Sequence, residues 1–380
     1  MRRGIMRAVL VGYCRTPFHR AHRGSLKDSR PEDMAAAVVK GVIERTGINP
    51  ESVEDLMLGC AYPEGEQGLN IGRMTTYLSG LPDTVPGMTT NRLCGSSMQV
   101  IHTAAGSISM GSGEAFVCAG VETMSRVMRG GFNRETHPVI EEQYPDAYIS
   151  MGITAENLAN THNISREEQE MFAAGSHRKA IHAADSGYFD KELVTIDDVT
   201  KDGCMREPNL EKMAQLKPAF NDAGTVTAAT SSPLTDGAAG VLVCSEEFAL
   251  QHGLQPIGSI VSTAVAGVPP DIMGYGPVPA SKKALQRAGL KMDDIDIIEL
   301  NEAFSSQSLA CLQDMSVESV DDRINVDGGA LAIGHPLGAS GCRIVGKASD
   351  LLSRENGEYA LATMCIGGGM GIATVIERWN

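Results

Sequence analysis

The chain repeats its own pattern. Arg45-Thr-Gly-Ile48 recurs as Arg287-Ala-Gly-Leu290, an offset of 242 (287 less 45), and the surrounding elements recur with it. Arg7–Tyr13 reads as an opening strand, Met34–Arg45 has helical spacing that stops at Gly47, and Val53–Leu58 reads as the next strand. In the second copy Ser281–Arg287 is helical, Gly289 stops it, and Ile295–Leu300 is strand-like. Cys94-Gly-Ser-Ser97 opens an apolar helical run followed by a strand at Ala115–Gly120. Gly338-Ala-Ser-Gly341 opens a similar run, followed by Ala360–Cys365. Alternating strands and helices in each half predict a largely parallel α/β core. The halves are placed at residues 1–250 and 251–380.

Between about 121 and 216 the composition turns polar and rich in Glu, His and Arg. Ser165-Arg-Glu-Glu168 is a capping-box signature opening an amphipathic helix over Arg166–Ser186. This stretch is too long for a loop and reads as a subdomain inserted into the first half.

Apolar residues make up 42% of the 380 and charged residues 21%, enough core and too little charge for disorder. A net charge of −15 argues against nucleic-acid binding, which needs a basic face. Met1-Arg-Arg-Gly-Ile-Met6 leads into an apolar run too short for a secretory signal, and no run is long enough to span a membrane. The start is Met1 or Met6. Nine cysteines, odd in number and without a C-x-x-C pair, point to reduced thiols of a cytoplasmic protein. The other histidines, His177 and His182 included, do not sit at metal-ligand spacings, so no metal is expected.

Four sites stand out. Cys94 lies where extended chain becomes helix, whose unpaired N–H groups and partial positive charge lower a thiol pKa; the alternative is a small core residue. Gly334-His335-Pro336 fixes an imidazole among small residues, where a pKa near 6.5 suits it to deprotonate a thiol; a hydrogen-bonded turn histidine reads equally well. Cys365-Ile-Gly-Gly-Gly369 sets a second cysteine before glycines whose N–H groups can converge as an oxyanion hole requires. Asn301-Glu-Ala-Phe304 offers an amide that holds a water or polarises a carbonyl, or else a helix cap.

In this order and spacing the four motifs resemble the thiolase family over residues 7–378. The resemblance implies an α/β thiolase fold: two βαβαβαββ halves in five α-β-α-β-α layers, with a loop subdomain inserted in the first half. It implies that Cys94 is acylated, that His335 activates it and then the CoA thiol, and that Cys365 exchanges a proton with the acetyl-CoA α-carbon. Asn301 would hold a water that forms one oxyanion hole with His335. The backbone N–H groups of Cys94 and Gly367 would form the other. By motif position Ser232 and Met151 meet pantetheine, Phe220 the adenine side, and Ala303 and Phe304 line the tunnel to Cys94. The phosphate contacts match poorly, with Met205 near a position often Arg, and Arg206 and Lys212 close by. CoA is a substrate, and no cofactor is implied.

Asn91–Gln99, Thr230–Gly237 and Met273–Pro279 resemble the branch that cleaves 3-ketoacyl-CoA in fatty acid β-oxidation. Ser150 stands where acetoacetyl-CoA members usually carry His. The resemblance also implies a homodimer or tetramer, and members of this branch often pair with a hydratase/dehydrogenase subunit. The alternatives are an acetoacetyl-CoA thiolase and a thiolase-fold partner subunit without turnover. Ketoacyl synthases share the fold but carry a second His where this chain has Asn301-Glu302.

Overall fold

The computed structural model describes residues 6–379; Met1, one of the two start positions, lies outside them. The strands are β1 (Ala8–Arg15), β2 (His19–Arg20), β3 (Asp55–Gly59), β4 (Gly87–Thr90), β5 (Ala115–Thr123), β6 (Thr235–Ser245), β7 (Pro256–Gly267), β8 (Ile297–Leu300), β9 (Tyr359–Ile366) and β10 (Met370–Glu377). They hydrogen-bond in the order β4-β3-β5-β6-β1-β7-β10-β9-β8, with β2 against β6. Read outward from the β1–β7 seam, the halves repeat one order, β1-β6-β5-β3-β4 and β7-β10-β9-β8. The counterpart of β4 is a single parallel bridge between Ile298 and Ile324.

The core is less parallel than the sequence pattern predicts. Helical crossovers make β3–β4, β3–β5 and β8–β9 parallel. The strand closing each half returns without a crossover, so β5–β6 and β9–β10 are antiparallel, as are their pairings onward to β1 and β7.

Alternation along the strands sorts their side chains into three apolar layers. Leu10, Phe116, Cys118, Ala360, Ala362 and Met364 face a central cluster with the helices Ser96–Met110 and Leu337–Arg354. Val9, Val11, Val117 and Ala119 face outward onto the Pro31–Thr46 helix. Leu361, Ala373 and Val375 face the opposite way onto the Pro277–Ala288 helix. Helix, sheet, helix pair, sheet, helix gives the five layers. The central helices approach closely because Gly341 lies on the backbone of Met98, where a Cβ would clash. The outer helices end at Gly47 and Gly289, both left-handed, as their sequences predict.

The chain leaves the first sheet after Thr123 and returns at Thr235, so the inserted region runs over 124–234 rather than 121–216. Residues 121–123 complete β5, and the stretch after 216, richer in small residues and with only Lys217 and Asp222 charged, lacks the polar composition that marks the rest. The capping box at Ser165 opens the Arg166–Asp185 helix. A buried ionic chain ties this insertion to both halves. Arg15 of β1 pairs with Glu192 and Asp202, each at 2.7 Å, and Lys347 of the central helix pairs with Glu192 at 2.6 Å and Asp327 at 3.0 Å. The 250/251 boundary falls at the end of the short Glu246–Gln251 helix that joins β6 to β7. No described helix is long and apolar enough to cross a membrane.

Candidate active site

Cys94 sits on a tight turn between β4 and the Ser96–Met110 helix. Ser96 Oγ accepts from Arg92 N at 2.9 Å and donates to Leu93 O at 2.6 Å, and Leu93 is held at φ 44. A left-handed leucine is strained, so the turn is over-determined by its hydrogen bonds and packing. Gly95 lets it press against Ile366, where a Cβ would collide. That contact brings the turn to the end of β9, which carries Cys365.

β9 and β10 are joined by Gly367–Gly369, with Gly368 at φ 79 and Gly369 at φ 83, conformations that L side chains rarely adopt. The Gly367 backbone N–H lies at the Cys94 thiol and works to lower its pKa.

His335 is buried and clamped. Its N–H donates to Thr235 Oγ1 at 3.0 Å, its Nδ1 lies 2.6 Å from Ser340 Oγ, and its Nε2 lies 3.4 Å from Asn301 Nδ2. The Asn301 amide N can only donate, so Nε2 accepts and the ring proton sits on Nδ1, toward Ser340. Asn301 does not cap a helix, since the next one starts at Ser305 behind Phe304. Asn301 Oδ1 is buried without a partner among the described residues.

Cys94, His335, Cys365 and Gly367 line one cavity of about 440 Å³, together with Met151, Phe220, Ser232, Ala303 and Phe304. Nine of the ten residues expected at the site share this wall; the tenth, Asn301, reaches it through His335. The loop carrying Ser232 is stitched across the halves. Ser232 N donates to Ala303 O at 3.0 Å, Ser305 N to Thr230 O at 2.9 Å, and Leu234 bridges His335. Phe220 stands edge-on to Phe304 at 5.9 Å.

The electrostatics differ from the sequence expectation. Burial pushes the Cys94 thiol up to about 11, with the Gly367 N–H offsetting part of the rise, so the helix terminus does not leave a resting thiolate. Burial, with Arg343 adding to it, pushes His335 down to about 3 rather than leaving it near 6.5. The resting pair is a neutral thiol and a neutral imidazole whose Nε2 is held, among the described residues, only by the long contact with Asn301. Cys365 is raised well above an ordinary thiol by burial and by its neighbours Cys94 and Cys311.

Two buried carboxylates escaped the sequence reading as anchors of the histidine loop. Glu302 accepts from Ser176 Oγ at 2.6 Å, Asn325 Nδ2 at 2.7 Å and Leu331 N at 3.1 Å, fixing the chain before His335. Glu122 accepts from Ala61 N at 2.8 Å, Gln67 Nε2 at 2.7 Å and Gly338 N at 3.0 Å, fixing it afterwards. Glu302 stood inside a noticed motif; Glu122 had no local signal.

Among the basic residues, Arg20, Arg129 and Arg206 line the cavity. Arg20 and Arg206 continue into an adjoining cavity of about 320 Å³ with His177 and Lys212. Met205 is not at either cavity and packs instead near Phe18 and Phe189. No cluster of three or more His, Cys, Asp or Glu able to hold a metal ion occurs among the described residues.

Residues 8–247 match the family model "Thiolase, N-terminal domain", and 254–378 match "Thiolase, C-terminal domain". The 3-ketoacyl-CoA thiolase of Pseudoalteromonas translucida is 45% identical, covering 97% of this chain and 98% of its own. That of Idiomarina loihiensis is 46% identical, covering 97% and 99%. Human mitochondrial 3-ketoacyl-CoA thiolase in complex with CoA superposes with a TM-score of 0.91 at 35% identity, covering 99% of both chains. Bacillus anthracis acetyl-CoA acetyltransferase superposes at 0.90 with 37% identity, also covering 99% of both chains. Two family models spanning most of the chain, near full-length relatives and a shared fold lead to one conclusion: this chain belongs to the thiolase family of acyltransferases.

Proposed function

We propose that the protein cleaves 3-ketoacyl-CoA with free CoA, giving acetyl-CoA and an acyl-CoA two carbons shorter, through an acyl-Cys94 intermediate in fatty acid β-oxidation. The observation that carries the reading is the convergence of Cys94, His335, Cys365 and the Gly367 N–H on one cavity. The names of the near full-length relatives support the substrate class.

In this mechanism His335 Nε2 takes the Cys94 proton as sulfur attacks C3 of the substrate. The oxyanion forms on C3, the carbon bonded to the Cys94 sulfur, and is met by the Gly367 and Cys94 N–H groups, while His335 with a water on Asn301 serves the CoA thioester oxygen as C2 departs as an enolate. Collapse breaks the C2–C3 bond, and the Cys365 thiol protonates C2, releasing acetyl-CoA. The proton on His335 passes to the Cys365 thiolate and resets both groups. Free CoA then gives its thiol proton to His335 and attacks the acyl group, and the departing Cys94 thiolate takes that proton back. Neutral resting groups suit this cycle, since the charge pair forms only as the bond does.

A second reading, an acetoacetyl-CoA thiolase, is supported by the Bacillus anthracis neighbour. Product analysis with C4 and C10 3-ketoacyl-CoA separates the two. Acetyl-CoA plus octanoyl-CoA from the C10 substrate supports thiolysis of the broader class, and turnover confined to C4 favours the second reading. Failure with both substrates leaves a partner subunit without turnover.

The proposal extends to a homodimer or tetramer in the cytoplasm, working with a hydratase/dehydrogenase subunit. Among the described residues strand β4 pairs only with β3, and Tyr77 and Leu78 are exposed on the helix beside it, an edge that a second copy would cover. Sedimentation of the purified protein, alone and with such a subunit, tests the assembly.

A further inference from the structure

The two cysteines of the site stand on two different apolar clusters. Cys365 packs with Met151, Ala155, Val226, Met273, Ala303 and Phe304. Cys94 packs with Ala21, Ala61, Tyr62, Met124 and Leu337, and also against the central cluster; it shares neither with Cys365. Tyr62, Met124 and Leu337 also line the shared cavity; Leu337 follows His335-Pro336 directly, whereas Tyr62 and Met124 lie in none of the four motifs.

We propose that Tyr62, Met124 and Leu337 wall the pocket that receives the acyl chain, and that Tyr62 and Met124 set the chain length accepted. This rests on the thiolytic reading given above. Carbon 3 of the substrate carries the acyl chain on one side and C2 on the other. When Cys94 bonds to C3 and Cys365 reaches C2, the chain must point away from Cys365, into the apolar cluster of Cys94. The CoA moiety, attached beyond C2, takes the opposite side. There the Ser231–Leu234 loop and Phe220 lead to the adjoining cavity that holds Arg206 and Lys212, which suit its phosphates.

The wall at Tyr62 is rigid. Its N–H donates to Glu122 Oε1 at 3.3 Å, and its carbonyl accepts from Gln67 Nε2 at 2.7 Å. Met124, 2% exposed, is the adaptable member, since a thioether chain repacks readily around different lengths. Farther out, Phe132 N donates to Glu64 Oε2 at 2.7 Å, tying the loop that carries half-exposed Met128 and Phe132 to the Tyr62 loop. The outer methylenes of a long chain would run over these two side chains. Each buried methylene is worth roughly fourfold in binding, so a blocked pocket should tell most on long substrates.

The test is kcat/KM for 3-ketoacyl-CoA of C4, C6, C10 and C16, measured on wild type, Met124→Trp, Tyr62→Ala and Phe220→Ala. Met124→Trp should lower the C10-to-C4 ratio by about 20-fold or more. Tyr62→Ala should raise the C16-to-C4 ratio several-fold. Phe220→Ala, on the CoA side, should weaken all lengths alike. An unchanged ratio in folded Met124→Trp overturns the proposal. So does a rise in KM for free CoA in that variant, which would place CoA beside Arg129 and Tyr62. If Met124→Trp fails to fold, Leu337→Phe takes its place under the same criterion. Wild type inactive on every length refutes thiolysis itself, a result distinct from active enzymes with equal ratios.

Discussion

The connection after β5 and the connection after β9 occupy equivalent places in the two halves, and their lengths are opposite. The first runs over 124–234 and supplies Met151, Phe220 and Ser232 to the cavity wall. The second is three glycines, 367–369, which present bare backbone at the Cys94 sulfur. One duplicated framework thus carries a long connection that shapes a binding surface and a short one that exposes a donor. The cysteines follow the same division. Cys94 lies at a helix entry of the first half and is half-buried; Cys365 lies at a strand end of the second and is 1% exposed. The more open thiol is suited to bond carbon, and the enclosed one to hand over a proton.

Substitutions can break that division. The largest effect is expected for Cys94→Ala, which should reduce turnover by roughly 10⁴-fold or more and abolish the acyl adduct by intact mass. Cys365→Ala should stop carbon–carbon cleavage by about 10³-fold while leaving acylation of Cys94 by a saturated acyl-CoA intact. Equal loss of both steps would show that the two thiols do not divide the chemistry. Asn301→Ala, which removes an amide from His335, should cost about 10²-fold in kcat with little change in KM. Ser340→Ala frees His335 Nδ1 and should cost about tenfold, read as slower iodoacetamide alkylation of Cys94.

The smallest effect is one of stability. Burial holds His335 and His102 down to about 3 and His177 to about 4, against 6.5 for a free imidazole. The unfolded chain therefore binds protons first. Stability is full above pH 6.5 and falls as pH drops from there toward these folded values, by about 2 kcal/mol per such histidine at pH 5. Urea midpoints at pH 7 and pH 5 should differ less in His335→Asn than in wild type.

Much of this was legible because the signals were local. Gly47 and Gly289 end helices through their own backbone freedom, and Ser165–Glu168 caps the helix it begins. The four chemical motifs survive as short strings because each sits on one tight turn. What escaped depends on contacts between distant residues. The thiol and imidazole values are set by burial, which the helix terminus at Cys94 does not overcome. Glu122 holds Gly338 across 216 positions, and Tyr62 reaches Cys94 only through the fold. The strand closing each half looked parallel in sequence, because alternation does not encode direction.

The most direct measurement is an intact mass of the protein mixed with 3-ketodecanoyl-CoA and no free CoA. The account predicts one octanoyl group, mapped to Cys94 and removed when CoA is added. An adduct on another cysteine, or none under conditions where the substrate is bound, would contradict it.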